Sequence, residues 1–242
     1  LRRLIIHLQN LETSSIPIDI ASNYIFGEGV EGDYFEFGVF KGASFIRAYH
    51  SINYYTNLWK DFDRTKKAFS NIDLAKKSFN NYKQTKRNFY AFDSFEGLPE
   101  IKGIDEGHAI FQKGRYDCSK ENFKENLITN NVNLDDVIIV EGFYDKTLTP
   151  QLKDSLKIKK AAIIVIDCDL YESTKPVLKF ITSIIDNGTI IIFDDWYAYK
   201  GDPNKGEQKA CQEWIKENNH INLIPYKNYS THQMSFIVNL KY

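Results

Sequence analysis

Acidic side chains follow two apolar runs in the second half of the chain. Asp167 comes directly after the run Ala161–Ile166. Asp194 and Asp195 come directly after the run Ile190–Phe193. Because neighbouring parallel strands end at one edge of a sheet, we expect these carboxylates to lie together, where they would repel one another unless a cation joined them. Oxygen ligands favour a hard ion, so the spacing predicts a Mg²⁺ site.

A structural alternative exists for part of this acidic set. Asp169 and Glu172 also follow the first run, and together with Asp195 they could cap the helices that come next. The pair Asp167 and Asp194 fits the metal interpretation better than the capping one, because both directly follow buried strands. For Asp169 and Glu172 the sequence leaves both interpretations open.

A glycine-containing turn follows the first predicted strand, in the segment EFGVFKGAS. Gly38 and Gly42 lack a Cβ where a nucleotide would approach the backbone, and Ser44 could bind a carboxylate near a helix start. Ordinary packing of strand on helix is the alternative. The spacing is ExGxxxG from Glu36, which differs from the GxGxxG fingerprint of dinucleotide sites. A nicotinamide oxidoreductase is therefore the weaker hypothesis.

Two further strand ends carry residues suited to a nucleoside. Asp93 ends the second strand, where an acidic residue would bind a ribose diol, although a role in the turn alone is also open. After the third strand, Gly142 would let a flat base lie against the backbone. Phe143 or Tyr144 could cover that base or pack into the core instead.

Seven short apolar runs position these residues. The strands are predicted at 34–39, 88–92, 137–140, 161–166, 189–193, 221–225 and 235–240, most of them separated by helical stretches. This alternation is typical of an α/β fold with a doubly wound parallel sheet. Too few residues separate the last two strands for a crossover helix, so we expect an antiparallel hairpin at the edge.

Composition limits the class of protein. The 242 residues are 43% hydrophobic and 26% charged, which fits one globular domain over residues 1–242. The net charge of −1 gives no reason to expect a nucleic-acid binder. Three widely spaced cysteines indicate neither a disulfide framework nor zinc, and no apolar run is long enough for a membrane span. We expect a soluble, cytoplasmic protein.

Residues 60–87 form a basic segment within this domain. Nine basic and three acidic side chains give it a net charge of +6, which leaves −7 for the rest of the chain. Its aromatic and aliphatic residues recur at steps of seven and three, which predicts a helix or helical pair. The segment is either a solvated helical insertion or a basic face for an anionic partner.

Taken together, the segments EFGVFKG, FDSFEGLPE, VEGFYDKTL, IDCDLYEST and IIFDDW resemble the macrocin O-methyltransferase family, the TylF and MycF type of sugar O-methyltransferases. The resemblance runs from about Gly32 to Trp214. It implies a class I methyltransferase fold with a seven-stranded Rossmann-like sheet in the order 3-2-1-4-5-7-6 and the last strand antiparallel. It also implies S-adenosylmethionine (SAM) as methyl donor, with Mg²⁺ or another divalent cation.

The same resemblance suggests roles for individual residues. Ser44 would lie at the methionine carboxylate of SAM, Asp93 at its ribose, and Gly142 with Phe143 near its adenine. Asp167 would be both a metal ligand and the general base. The full cofactor-binding set is Glu36, Gly38, Val39, Gly42, Ser44, Asp93, Ser94, Gly142 and Phe143, and the metal ligands are Asp167, Asp194 and Asp195.

The sequence defines the methyl acceptor less precisely than the methyl donor. Catechol methyltransferases with a similar acidic pattern place a lysine three residues after the first aspartate, where this chain has Leu170, so a sugar is the expected acceptor. The basic segment favours an anionic one. His108 is a candidate second acid-base group or substrate contact. A catalytically silent binding module and a homo-oligomer both remain open.

Overall fold

The structure, a computed structural model, describes residues 17–60, 86–227 and 231–241. The strands in these ranges are β1 (Asp33–Phe37), β2 (Phe89–Asp93), β3 (Val137–Glu141), β4 (Ala161–Ile166), β5 (Ile190–Phe193), β6 (Ile221–Lys227) and β7 (Met234–Leu240). The α-helices are α1 (Pro17–Gly27), α2 (Ala43–Lys60), α3 (Lys120–Thr129), α4 (Tyr144–Thr147), α5 (Pro150–Ser155), α6 (Tyr171–Ile181) and α7 (Gly206–Glu217).

The strands form one mixed sheet in the order β3-β2-β1-β4-β5-β7-β6. The first five strands run parallel, and β7 runs antiparallel to both β5 and β6. The predicted strand order and the antiparallel edge are therefore confirmed. Six residues separate β6 from β7, which allows a hairpin but no crossover helix.

Two apolar cores cover the two faces of the sheet. Side chains alternate along β1, so that Tyr34 faces the core containing α1, α2 and α3, while Phe35 and Phe37 face the core containing α6 and α7. Every residue of β4 and β5 is buried, as expected for central strands with helices on both sides. The carboxyl edge of the sheet is thereby held by packing on both faces.

The basic segment lies mainly outside the described residues, because residues 61–85 are not among them. The side chains of two of its cations are described, and both have structural partners. The Lys86 ammonium lies 2.9 Å from the Asp136 carboxylate. Arg87 is buried, donates to the carbonyl oxygens of Val30 and Gly32, and covers the ring of Phe26. Arg87 therefore belongs to the fold and should not be counted with a solvated basic face.

Cys118, Cys168 and Cys211 are buried free thiols. The sequence predicted no disulfide framework for them. In the described part of the chain, no helix combines the length and apolar character needed to cross a bilayer.

Candidate functional site

Backbone hydrogen bonds align the ends of three central strands. The Asp167 N–H donates to the Phe37 carbonyl at 2.8 Å, and the Asp194 N–H donates to the Ile166 carbonyl at 3.0 Å. These bonds continue the β1–β4 and β4–β5 ladders by one residue. Gly38, Asp167 and Asp194 consequently follow neighbouring strands at the same edge of the sheet.

The three predicted metal ligands come together at this edge. One carboxylate oxygen from each of Asp167, Asp194 and Asp195 lies within 4.8 Å of the others. Ligands on opposite sides of one Mg²⁺ or Ca²⁺ ion are separated by about 4–5 Å, so this spread suits a single ion. Gln233, the residue before β7, donates from Nε2 to Asp194 Oδ1 and so orients one of the three carboxylates.

The electrostatics of the cluster also suit a cation. Burial raises the pKa of Asp167 well above its usual value, and the nearby Asp194, Asp169 and Asp195 raise it further. Burial likewise raises the pKa values of Asp194 and Asp195. A dication among these oxygens would offset both the desolvation and the mutual repulsion. The donor set therefore fits a hard divalent ion.

A cleft of about 1150 Å³ opens beside the cluster. Its lining brings together seven of the predicted functional residues: Gly38, Asp93, Ser94, Phe143, Asp167, Asp194 and Asp195. A second cavity of about 340 Å³ is lined by Ser44 and shares Asp167 and Asp194 with the cleft. The predicted donor and metal residues thus border two spaces that meet at the aspartates.

Asp93 organises the turn after β1 as well as lining the cleft. Its Oδ2 accepts hydrogen bonds from the backbone N–H groups of Val39 (2.8 Å) and Phe40 (3.0 Å). Its Oδ1 accepts from the Phe95 N–H at 2.8 Å. Val39 takes part through its backbone, because its side chain is buried in the core. Asp93 therefore holds two strand ends together, a role that the sequence presented only as an alternative.

Glu36 and Ser44 form a buried pair below the edge of the sheet. The Ser44 hydroxyl donates to Glu36 Oε1 at 2.5 Å, and the Tyr34 hydroxyl donates to Glu36 Oε2. Glu36 is fully buried, and this burial raises its pKa to about 8. Glu36 does not line the cleft, so its contact with a ligand would pass through Ser44.

At three predicted positions, different neighbouring atoms explain why the residue must be glycine. A Cβ on Gly38 would lie 1.7 Å from the Asp167 carbonyl oxygen, so this glycine allows β1 and β4 to approach at the site. A Cβ on Gly42 would lie 2.8 Å from the Phe123 ring, which places this glycine against α3 rather than in the cleft. At Gly142 it would lie 2.6 Å from the Thr147 methyl group. Gly42 and Gly142 are therefore required for local packing, and their proposed contacts with the cofactor stay predictions.

The two aromatic candidates after β3, Phe143 and Tyr144, differ in their contacts. The Tyr144 hydroxyl donates to the Phe92 carbonyl at 3.2 Å, and its ring packs edge-on against Phe37. Both residues are partly exposed and line the cleft. Because these contacts hold Tyr144 against the core, Phe143 stays the predicted residue to cover a base. Ser94 lines the cleft too, but its hydroxyl donates to the Gly97 carbonyl at 2.9 Å.

His108 lies behind the wall of the cleft and not among its lining residues. Its ring centroid is 3.9 Å from that of Phe111 and 4.7 Å from that of Tyr199. Burial, together with the positive charges of His232 and Lys205, lowers the pKa of His108. The neutral ring is therefore favoured in this aromatic cluster, and its proposed contact with substrate stays a prediction.

Asp105 has a role that could not be predicted from the sequence. Its two carboxylate oxygens accept from the N–H groups of Tyr171 (2.9 Å) and Glu172 (3.2 Å), so a distant loop caps α6. The alternative in which Asp169 or Glu172 caps this helix is wrong. Burial, together with the nearby Asp195, raises the pKa of Asp169 well above its usual value, and the Asp169 backbone is left-handed with φ of 61°.

Comparison with known protein families decides the class. The family model described as macrocin O-methyltransferase (TylF) matches residues 72–222 of this chain. The chain belongs to the macrocin O-methyltransferase family. It is therefore a SAM-dependent O-methyltransferase, as its motifs predicted. A comparison with curated proteins found no match.

Solved structures support the same fold. The O-methyltransferase NovP aligns over 91% of this chain and 77% of its own, with 20% identity and a TM-score of 0.63. The calicheamicin methyltransferase CalS11 aligns over 94% of this chain and 79% of its own, with 20% identity and a TM-score of 0.62. An O-methyltransferase from Bacillus cereus, in complex with SAH, shares 12% identity with a TM-score of 0.51, over 97% and 87% of the two chains.

Proposed function

We propose that this family member transfers the methyl group of SAM to a sugar hydroxyl and that the reaction depends on a divalent cation, Mg²⁺ in the first instance. The observation that carries this proposal is the cluster of Asp167, Asp194 and Asp195 at the edge of a cleft lined by the predicted donor residues. Sugar methylation is the function of the family, and the metal dependence is proposed from the resemblance and from this cluster.

For the donor, we place the ribose at Asp93 and the adenine against Phe143, because both residues line the cleft. The methionine carboxylate is placed at Ser44, in the smaller cavity. Ser44 lies in the first turn of α2, where free N–H groups and the helix dipole favour an anion. This arrangement directs the sulfonium toward the aspartates.

Asp93→Ala should weaken SAM binding at least about tenfold, because it removes the proposed ribose contact and leaves three backbone N–H groups without their acceptor. The same change should lower the free energy of unfolding by about 1–3 kcal/mol. Calorimetric titration with SAM and thermal unfolding measure the two effects. Asp93→Asn, which keeps one acceptor oxygen, is the matched variant. An unchanged SAM dissociation constant in Asp93→Ala would show that the ribose lies elsewhere.

Methyl transfer from a sulfonium is an in-line displacement, so the acceptor oxygen must be aligned and made nucleophilic. A divalent cation, when bound, supplies Lewis acidity that lowers the pKa of a nearby hydroxyl. Asp167, Asp194 and Asp195 would hold this ion. Asp167 would accept the proton of the attacking hydroxyl at its carboxylate. Leu98 and Phe111 on the cleft wall would help to exclude water.

A catechol-type acceptor is the second candidate, and the structure gives it no added support. Leu170, which stands where those enzymes have a lysine base, is buried with Leu98, Phe111 and Ala198. Position 170 therefore contributes packing rather than a proton acceptor.

An anionic acceptor stays a prediction that rests on the basic segment. The described lining of the cleft has ten carboxylate side chains and three lysines, Lys102, Lys113 and Lys146. A cationic donor and a dication would offset part of this negative charge. The described residues by themselves favour a neutral sugar or an amino sugar.

The proposal is tested by donor binding followed by turnover. We expect SAM, but not NAD, to raise the melting temperature. Methyl transfer from SAM to a panel of neutral, amino and phosphorylated sugars should be abolished by EDTA and restored by Mg²⁺. Stabilisation by NAD alone, or transfer that resists exhaustive chelation, would contradict the proposal. SAM binding with no metal-dependent turnover on any acceptor would favour a silent binding module.

A further inference from the structure

Glu207 is a buried carboxylate beside the proposed metal site that the mechanism has not used. It lies in the first turn of α7 and is 1% exposed. Its Oε2 accepts a hydrogen bond from the backbone N–H of Asp195 at 3.1 Å. A side chain from α7 thus reaches the backbone of a proposed ligand that follows β5.

A second hydrogen bond joins the same two segments. Gln208, the next residue of α7, donates from Nε2 to the carbonyl oxygen of Trp196 at 2.6 Å. Consecutive residues of α7 therefore bind consecutive residues of the loop after β5. The side chain of Glu207 satisfies a backbone donor and that of Gln208 a backbone acceptor, so the loop is held at two points against a helix.

The start of α7 is shaped for this close approach. Gly206 has a left-handed backbone with φ of 51°, and a Cβ there would lie 2.9 Å from the Tyr199 ring. The glycine lets the first turn of α7 lie directly against the loop after β5. Most of α7 is anchored elsewhere, because Ala210, Cys211 and Trp214 pack in the core on one face of the sheet. The helix is thereby a rigid support.

The second carboxylate oxygen of Glu207 would destabilise the fold if the residue had a purely structural role. Oε1 is buried and has no hydrogen-bond partner among the described residues. An unsatisfied buried acceptor destabilises a fold. Asp194, Asp195 and Asp169 lie close enough to oppose further negative charge at Glu207. A glutamate here therefore destabilises the fold unless the ordering of the adjacent loop or a bound cation compensates.

We propose that Glu207 is a positioning residue for the metal centre, one that holds the Asp195 backbone so that the Asp195 carboxylate faces Asp167 and Asp194. This inference rests on the proposed metal site and adds a residue outside its three ligands. Groups that orient ligands typically change metal affinity by about 10–100-fold when they are removed.

The test is a titration of the full chain with Mn²⁺, in which electron paramagnetic resonance monitors the free and bound ion. Glu207→Ala should raise the Mn²⁺ dissociation constant at least about tenfold and leave the SAM dissociation constant within about twofold. Glu207→Gln, which keeps an acceptor for the Asp195 N–H, should stay within about threefold of the parent protein in both measurements. Glu217→Ala, at an exposed position of the same helix, is the matched control.

Glu207→Asp gives an independent test if the alanine variant does not fold. It keeps the carboxylate but shortens the side chain, so it should weaken Mn²⁺ binding although the charge is retained. Equal Mn²⁺ affinity in the parent, Glu207→Ala and Glu207→Asp would overturn the positioning role, and so would a Gln variant as weak as the Ala variant. Failure of the parent protein itself to bind Mn²⁺ would instead refute the proposed metal site.

Discussion

Asp167→Asn should reduce kcat for methyl transfer at least about 10³-fold, because one substitution removes both a proposed metal ligand and the proposed proton acceptor. SAM affinity and the melting temperature should change little. The amide keeps the size of the side chain, and it relieves repulsion with Asp194, Asp169 and Asp195. Single-turnover transfer from labelled SAM at saturating Mg²⁺ measures the loss.

Asp145→Asn is the matched control, since Asp145 is an exposed carboxylate on the wall of the same cleft, and the change removes the same charge. It should retain kcat within about threefold, in the range of an exposed charge acting at a distance. Equal losses in the two variants would mean that the acidity of the cleft as a whole, and not Asp167, governs the rate.

Gly38→Ala should have the largest effect on folding, a loss of at least about 4 kcal/mol in the free energy of unfolding. The new Cβ would lie 1.7 Å from the Asp167 carbonyl oxygen, and the backbone has φ of +91°. The oxygen belongs to the backbone and the position of the Cβ is fixed by the backbone, so relief requires β1 and β4 to separate at the site. Denaturant unfolding measures the change.

Gly29→Ala separates the effect of the steric clash from the effect of the backbone strain. Gly29 also has a positive φ, +68°, but a Cβ there would meet no atom within 4 Å. Its cost should be limited to the backbone strain of about 1–2 kcal/mol. If Gly38→Ala were no more destabilising than Gly29→Ala, the close approach of β1 to Asp167 would be refuted.

Much of the fold could be predicted because each buried strand forms an apolar run of distinctive composition. Ala161–Ile166 is apolar throughout, as a central parallel strand with helices on both faces requires. The edge hairpin followed from chain length alone, because six residues cannot hold a crossover helix. Residues 61–85 of the basic segment lie outside the described residues, so the helix or helical pair expected there stays a prediction.

The grouping of the aspartates was predictable for a related reason. Parallel strands place their carboxyl ends together, so residues that follow apolar runs share an edge. The partners of these aspartates were not predictable, because they come from other elements of the fold. Gln233 donates to Asp194 across 39 residues, and Glu207 on α7 accepts from the Asp195 N–H. The cap that Asp105 provides for α6, across 66 residues, was equally unpredictable. Asp93 shows a second limit of prediction from sequence. Its position at the end of a strand does not reveal which backbone N–H groups donate to its carboxylate.

The central claim is that Asp167, Asp194 and Asp195 hold one divalent cation beside the SAM site. Crystals grown with Mn²⁺ and SAM, measured near the manganese absorption edge, test it most directly. We predict one anomalous peak within about 2.0–2.3 Å of a carboxylate oxygen from each aspartate. A well-ordered SAM in the cleft, with no anomalous peak between these three side chains at saturating Mn²⁺, would contradict the claim.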